Sequence, residues 1–295
     1  MRGPKIGYPL LFLLPTIIIV FGVLGAPAIY SFSQSFYKIS FLGAETTGFV
    51  GIENYIKAIN DPRIYDILYN TIFFTILSVV LTFSLSLLLA FLLNEEFRGR
   101  TIARALILLP WAISGVGNGT MWKTLFNYHG VINEGVIALG FPRMPWLADP
   151  PLIRFVLILA QSYLLVPFCT FVILAGLQEI PKNLIESTKI DGASALQRLR
   201  HLTFPMLKPA LMSALLVSTI VCIKVFDIMY VITAGGGITG GAIGPTRVIY
   251  YYGYEQIFVF FRVGYGLSII WILCAIVFVF SVVYYTATYS KEIVQ

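Results

Sequence analysis

Apolar residues fall along this chain in long runs, not at the alternating spacing of soluble helices or strands. Six runs, at about 8–32, 68–94, 102–126, 152–176, 207–232 and 263–288, each reach the roughly 20 residues that cross a bilayer. Within hydrocarbon the backbone must satisfy its own hydrogen bonds, so each run is predicted to be a helix. The expected fold class is an all-α membrane protein with six transmembrane helices, with residues 1–295 forming a single transmembrane domain.

The polar interval 179–206 carries a cluster of charge: Glu179, Lys182, Glu186, Lys189, Asp191, Arg198, Arg200 and His201. It reads as two short helices joined by a turn. Pro181 suits a helix start, where its missing N–H is not needed. Asp191-Gly192 ends the first helix, because glycine accepts the positive φ of a tight bend. Ser194, with Gln197 three residues on, is a capping box for the second. Leu196, Leu199 and Thr203 then share one face, while Arg198 and His201 lie elsewhere. Pro205 and Pro209 are expected to close the unit. A hairpin of this size is too small to be a domain, so its surface should serve a partner.

Glu186-Ser187-Thr188, Asp191-Gly192-Ala193, Phe204-Pro205 and Pro209 resemble the cytoplasmic Glu-Ala-Ala loop of permease subunits of binding-protein-dependent ABC importers. Ser187 and Thr188 stand where the family has two alanines, a mild change in size. The resemblance implies the type I ABC importer permease fold. It also implies that 179–206 is a coupling loop docked on a separate ATPase, with Glu186, Ser187, Asp191, Gly192, Ala193 and Arg198 as its contact and bending residues. ATP and magnesium would then belong to the partner ATPase, with no cofactor on this chain. Phe49-Val50-Gly51-Ile52-Glu53-Asn54-Tyr55 resembles a segment of the carbohydrate branch of the family; it is equally a turn at Gly51 followed by a short amphipathic helix. Gly130-Val131-Ile132-Asn133, Trp146-Leu147 and Phe226-Asp227 with Tyr230 extend the likeness, whereas the Gly-rich loop 234–246 is longer than the family's. The implied partners are ABC ATPase subunits, a second permease in a heterodimer, and an extracytoplasmic sugar-binding protein.

Composition changes this picture little. The chain is 58% hydrophobic and 12% charged, far from the soluble norm of about 25% charged. A net charge of +6 would fit nucleic acid, but its distribution fits a lipid bilayer. With the N-terminus inside, Arg2, Lys5, Arg98, Arg100, Arg104, Lys182, Lys189, Arg198, Arg200, Lys208 and Lys291 face the cytoplasm. Lys38, Lys57, Arg63, Arg143, Arg247 and Arg262 face out. Eleven against six obeys the positive-inside rule and puts both termini and the hairpin in the cytoplasm of a cell-membrane protein. The basic start and Ala26-Pro27-Ala28 also suggest a cleaved signal peptide, but the uncharged run from Ile6 to Tyr37 exceeds a signal core of about 7–15 residues. A retained first helix is expected.

Polar side chains inside the runs are the candidate lining of a path, since intramembrane polar groups face the bundle or a water-filled cavity. Asn118 is one, with interhelical bonding as the competing role. By resemblance to the maltose permease, Gln161 and Phe168 fall on sugar-binding positions, beside Tyr163; an amide suits hydroxyls and an aromatic face suits a pyranose. Plain packing is the other reading of Phe168. Pro167 is expected to kink its helix. Lys224 and Asp227, three residues apart, can meet on one helix face, as a self-neutralising pair or as a substrate contact. Trp122 and Lys123 read as interfacial anchors. His129 and His201 stand in different loops, and Cys169, Cys222 and Cys274 each lie within a helical run, so no metal cluster or disulfide framework is expected. No Walker A sequence occurs. Alternative functions are import of another solute, such as a polyamine, or ion-coupled secondary transport.

Overall fold

The structure is a computed structural model that describes residues 7–39, 48–233 and 246–289. Five of its helices are long and apolar enough to cross a membrane, and six such spans result if one bent pair counts as a single span. By contacts the chain divides into two compact units, 1–64 with 252–275 and 65–251 with 276–295.

The first unit opens with α1 (Gly7–Ile18), a π-helical stretch (Ile19–Gly25) and α2 (Ala26–Gln34), which run on as one apolar helix. A two-residue hairpin follows, β1 (Tyr37–Lys38) against β2 (Gly48–Phe49). Gly51 takes φ +59° and leads into α3 (Glu53–Asn60). The Phe49–Tyr55 segment is a structural tie. Buried Asn54 donates through Nδ2 to Ser35 O (2.8 Å) and Tyr37 O (3.0 Å), and the Tyr55 hydroxyl meets Ser35 Oγ at 2.6 Å. Asp61 accepts from Arg63 Nε (3.0 Å), Arg63 Nη2 (2.8 Å) and the Tyr265 hydroxyl (3.0 Å). The Arg63 guanidinium holds the Asp61 carboxyl below its usual pKa.

The second unit holds most of α4 (Pro62–Asn94) and all of α8 (Pro150–Glu179), one uninterrupted helix across Pro167. Helix α8 packs on α11 (Phe204–Ile223) so closely that a Cβ on Gly176 would lie 2.5 Å from Ala210 Cβ. Ala90, Leu93, Cys169, Ile173, Leu177 and Leu207 form the buried apolar cluster at that seam. Between α4 and α8, Ser86 Oγ donates to Val166 O at 3.1 Å and Arg154 Nη2 to Asn70 Oδ1 at 3.0 Å. Helix α14 (Val263–Tyr289) closes the chain, and its Tyr284 hydroxyl donates to Met212 O at 2.9 Å.

Two of the six runs are not single helices. The 102–126 run is α5 (Arg100–Leu108), a 3₁₀ turn (Leu109–Ala112) and α6 (Gly115–Leu125), with a 97° bend between the parts. Pro110 withholds a backbone donor, and Ser114 restarts the helix by accepting from Gly117 N–H at 3.1 Å. The 207–232 run breaks at Lys224–Phe226, and α12 (Asp227–Thr233) starts afresh with an acidic first residue. Between α6 and α8, α7 (Val131–Ala138) lies in a loop organised by buried Asn133. Its Nδ2 donates to Tyr128 O and Met144 O (3.0 and 2.9 Å), and its Oδ1 accepts from Met144 N–H and Trp146 Nε1 (2.9 and 3.1 Å). Trp146 is thus committed to Asn133. Helix α13 (Ile249–Phe258) follows the Gly-rich loop, of which residues 234–245 lie outside the described residues.

Candidate functional site

The two helix breaks meet. Asp227, first residue of α12, lies against Gly115, first residue of α6: a Cβ on Gly115 would stand 2.5 Å from Asp227 Oδ2. Farther along, a Cβ on Gly119 would be 3.0 Å from Val231 Cβ, and Lys123 Nζ donates to Val231 O at 3.0 Å. Lys123 therefore completes a backbone carbonyl near the end of α12. The two half-helices run side by side in the same direction, and only glycines permit so close an approach.

Where they begin, an open cavity of about 370 Å³ is bounded by Gln161 and Leu164 of α8, Lys224 and Phe226 of the link, Asp227 of α12 and Tyr250 of α13. Lys224 and Asp227 are both exposed, and among the described residues no hydrogen bond or ion pair joins them. The three-residue spacing would pair them on a continuous helix, but Lys224 ends α11 with φ −98° and ψ 23°, so they share no helical face. The expectation of a self-neutralising pair is corrected on that ground. Phe226 stacks on Tyr230 (centroids 5.5 Å, interplanar 23°) and meets Tyr250 edge-on (6.0 Å, 67°).

Of the candidate lining residues, the structure brings Gln161, Lys224 and Asp227 together at this cavity and leaves three elsewhere. Asn118 is 0% exposed and donates through Nδ2 to Ala160 O at 2.9 Å, so it bonds helix to helix. Phe168 packs on the buried cluster with its ring 6.2 Å from Trp111. Tyr163, two positions from Gln161, points about 200° away around α8 and meets Trp122 edge-on at 5.8 Å. Tyr250 was not anticipated. Its run of tyrosines reads in sequence as an interfacial belt, and nothing local marks the one that reaches the cavity.

The second feature is the hairpin between α8 and α11. Helix α9 (Lys182–Ile190) ends in a Schellman closure around Gly192 at φ +76°. Ala193 N–H donates to Thr188 O (3.0 Å) and Gly192 N–H to Lys189 O (3.1 Å). Ser187 and Thr188 turn their hydroxyls back to Leu184 O and Ile185 O (3.0 and 2.9 Å). Arg198 Nη1 crosses the bend to Ala193 O at 2.6 Å. Helix α10 (Ala195–Arg198) starts with the expected capping box, Ser194 with Gln197. Pro205 does not close the unit. A π turn (Leu199–Thr203) sends Phe204 N–H back five residues to Leu199 O, and the helix runs on from Ala195 to Ile223. This shift of register absorbs the proline.

Two side chains anchor the hairpin: Ile180 belongs to the buried cluster of α4, α8 and α11, and Ile185 packs against it. The rest faces out. Ile190 is 86% and Leu196 73% exposed, on either side of the bend. Glu186 is exposed, without a hydrogen-bond or ion-pair partner among the described residues. Apolar side chains beside a free carboxylate, on a segment tied to the helix core, form a surface suited to a protein partner.

Residues 58–290 match the family described as binding-protein-dependent transport system inner membrane component. The trehalose/maltose transport system permease protein of Thermococcus litoralis is 35% identical over 82% of this chain and 80% of its own length. The lactose transport system permease protein of Rhizobium radiobacter is 30% identical, over 83% and 82%. A crystal structure of a bacterial ABC transporter involved in import of the acidic polysaccharide alginate has a chain of the same fold, with TM-score 0.80 at 22% identity over 96% of this chain and 95% of that one.

Proposed function

The chain belongs to the inner membrane components of binding-protein-dependent transport systems, and on that footing we propose that it is the permease subunit through which an ATP-driven importer passes a saccharide. The hairpin carries the coupling part of the reading. Its exposed Glu186, Ile190 and Leu196 would dock on an ABC ATPase subunit, which binds ATP and magnesium. Ile185 would pass the resulting displacement to the helix core. Ser187, Asp191, Gly192, Ala193 and Arg198 shape the bend that presents this surface. The ATPase is then a ligand that favours one of two conformations of the helix bundle.

The saccharide part is supported by the names of the relatives and by the cavity at the two helix breaks. Exposed Lys224 and Asp227 offer a donor and an acceptor there beside buried Gln161, and a second permease would supply the opposite wall. A cationic solute such as a polyamine would gain Asp227 but face Lys224, so this lining gives it no net advantage. An extracytoplasmic sugar-binding protein would deliver the solute on the side of the membrane opposite the hairpin, and both termini would lie on the hairpin's side.

The test is reconstitution with the ATPase, second permease and binding protein in proteoliposomes. Saccharide uptake should require ATP and fail when Glu186 is replaced by lysine. Undiminished uptake on an ion gradient without ATP would replace this reading with secondary transport.

A further inference from the structure

We propose that Arg100 and Arg104 hold the phosphate of an anionic phospholipid, taken from the membrane leaflet on the hairpin's side. The inference does not depend on which solute the chain passes.

The two arginines converge on one atom. At the end of α4, Leu93 O accepts from Arg100 Nε at 2.7 Å and from Arg104 Nη2 at 3.1 Å. Residues four apart stand one turn apart on the same face of α5, so the spacing brings both guanidiniums to the same carbonyl. Ala103 and Ile107, on that face too, pack against the buried cluster that contains Leu93 and Ile180. The arginines therefore sit at the same end of the helix core as the hairpin.

The charge there is not balanced within the chain. A carbonyl orders a guanidinium but does not neutralise it. The C-terminal end of α4 contributes roughly half a negative charge, against two full positive ones. Glu95 and Glu96, next along the chain, are exposed, and among the described residues no carboxylate pairs with either arginine. Arg104 Nε is buried without a hydrogen-bond partner among those residues. Both arginines are half-buried and keep Nη groups that bond to nothing described. Two guanidiniums fixed side by side, with planar donors to spare, match the oxygens of a phosphodiester, which such forks bind well. The surroundings select a lipid over a free anion. Leu88 and Leu92 along α4, and Ile102 and Leu106 along α5, are exposed apolar side chains that lead away from the arginines. Acyl chains would lie along them, whereas a free phosphate would gain nothing from them.

The experiment uses the complete transporter, purified in detergent and stripped of lipid, with bound phospholipid followed by native mass spectrometry. The probes are dioleoylphosphatidylglycerol, dioleoylphosphatidylcholine and glycerol 3-phosphate. Wild type is expected to bind the anionic lipid in preference to the zwitterionic one, and glycerol 3-phosphate at equal concentration should not displace it. Arg100→Gln and Arg104→Gln lose the charge but keep an amide donor, so each should weaken binding of the anionic lipid about fivefold. Arg98→Gln, at an exposed arginine that bonds to nothing described, should stay within about twofold of wild type. As a check on folding, each protein is also melted with and without the anionic lipid. A bound ligand raises the melting temperature, so wild type should gain and the variant with both arginines changed should not, each measured against its own lipid-free value. Equal binding of the two lipids, an equal loss in Arg98→Gln, or the same gain in melting temperature in the double variant overturns the site. Displacement by glycerol 3-phosphate overturns the lipid as its occupant. Loss of the ATPase from the Gln variants with lipid binding unchanged assigns the arginines to that partner and overturns the proposal.

Discussion

Gly192 offers the cleanest perturbation of the hairpin, because its backbone and its surroundings can be separated. It holds φ +76°, and a Cβ built there would meet nothing within 4 Å. Any effect of a small side chain in this chain alone must therefore act through the backbone. A left-handed conformation costs an L-residue about 1–2 kcal/mol, more for a β-branched one, and asparagine tolerates it best. If the bent hairpin is the docking form, that strain should weaken ATPase binding about 5- to 30-fold for Gly192→Ala, further for Gly192→Val and least for Gly192→Asn. The assay is retention of tagged ATPase on immobilised permease across a concentration series. The order Asn, Ala, Val is the signature of backbone strain. Asn as damaging as Val would mean that bulk against the partner matters instead, and wild-type affinity for Val would show that the bend plays no part in docking.

Other outcomes follow from single contacts. Gly176→Val would force α8 from α11 and should cost about 1–3 kcal/mol, visible as a lower melting temperature in detergent; Gly22→Val, where nothing lies within 4 Å of a Cβ, should leave it unchanged. Asn133→Ala removes the donors and acceptor that bind Tyr128, Met144 and Trp146 and should lower thermal stability by about 1–3 kcal/mol, with increased proteolysis between 127 and 149. The Asp61 carboxyl titrates below its usual value beside Arg63, so its contribution to stability is present above the ordinary carboxylate pKa of about 4 and is lost as pH falls through the lower folded value. Melting curves of wild type should therefore drop more than those of Asp61→Asn on acidification below about pH 4; parallel curves would remove Asp61 from the account.

Signals that act locally were legible in sequence. Asp191-Gly192 and the Ser194–Gln197 box specified the hairpin bend and the second helix start, because a positive φ and a cap each need particular residues. The spans were legible from hydropathy alone. Hydropathy also hid the breaks within two of them: Ser114 and Asp227 are helix-start residues, yet each lies in a run apolar enough to pass for one helix. Missing the break at 224–226 made Lys224 and Asp227 look like a pair, and it concealed the cavity that the break creates. Asn118 and Tyr163 could not be placed from sequence, because the direction of a polar side chain in a membrane helix depends on which neighbour packs there. The β1–β2 hairpin, with two residues per strand, was too short for any periodicity to announce it.

The most direct test of the central claim is ATP hydrolysis and saccharide uptake measured together in proteoliposomes, with wild-type permease and with Glu186→Lys. The account requires that wild type hydrolyse ATP faster when saccharide-loaded binding protein is present and accumulate the sugar in step, and that Glu186→Lys lose uptake together with the bound ATPase. Uptake that persists in Glu186→Lys, with the ATPase absent and only an ion gradient supplied, would contradict it.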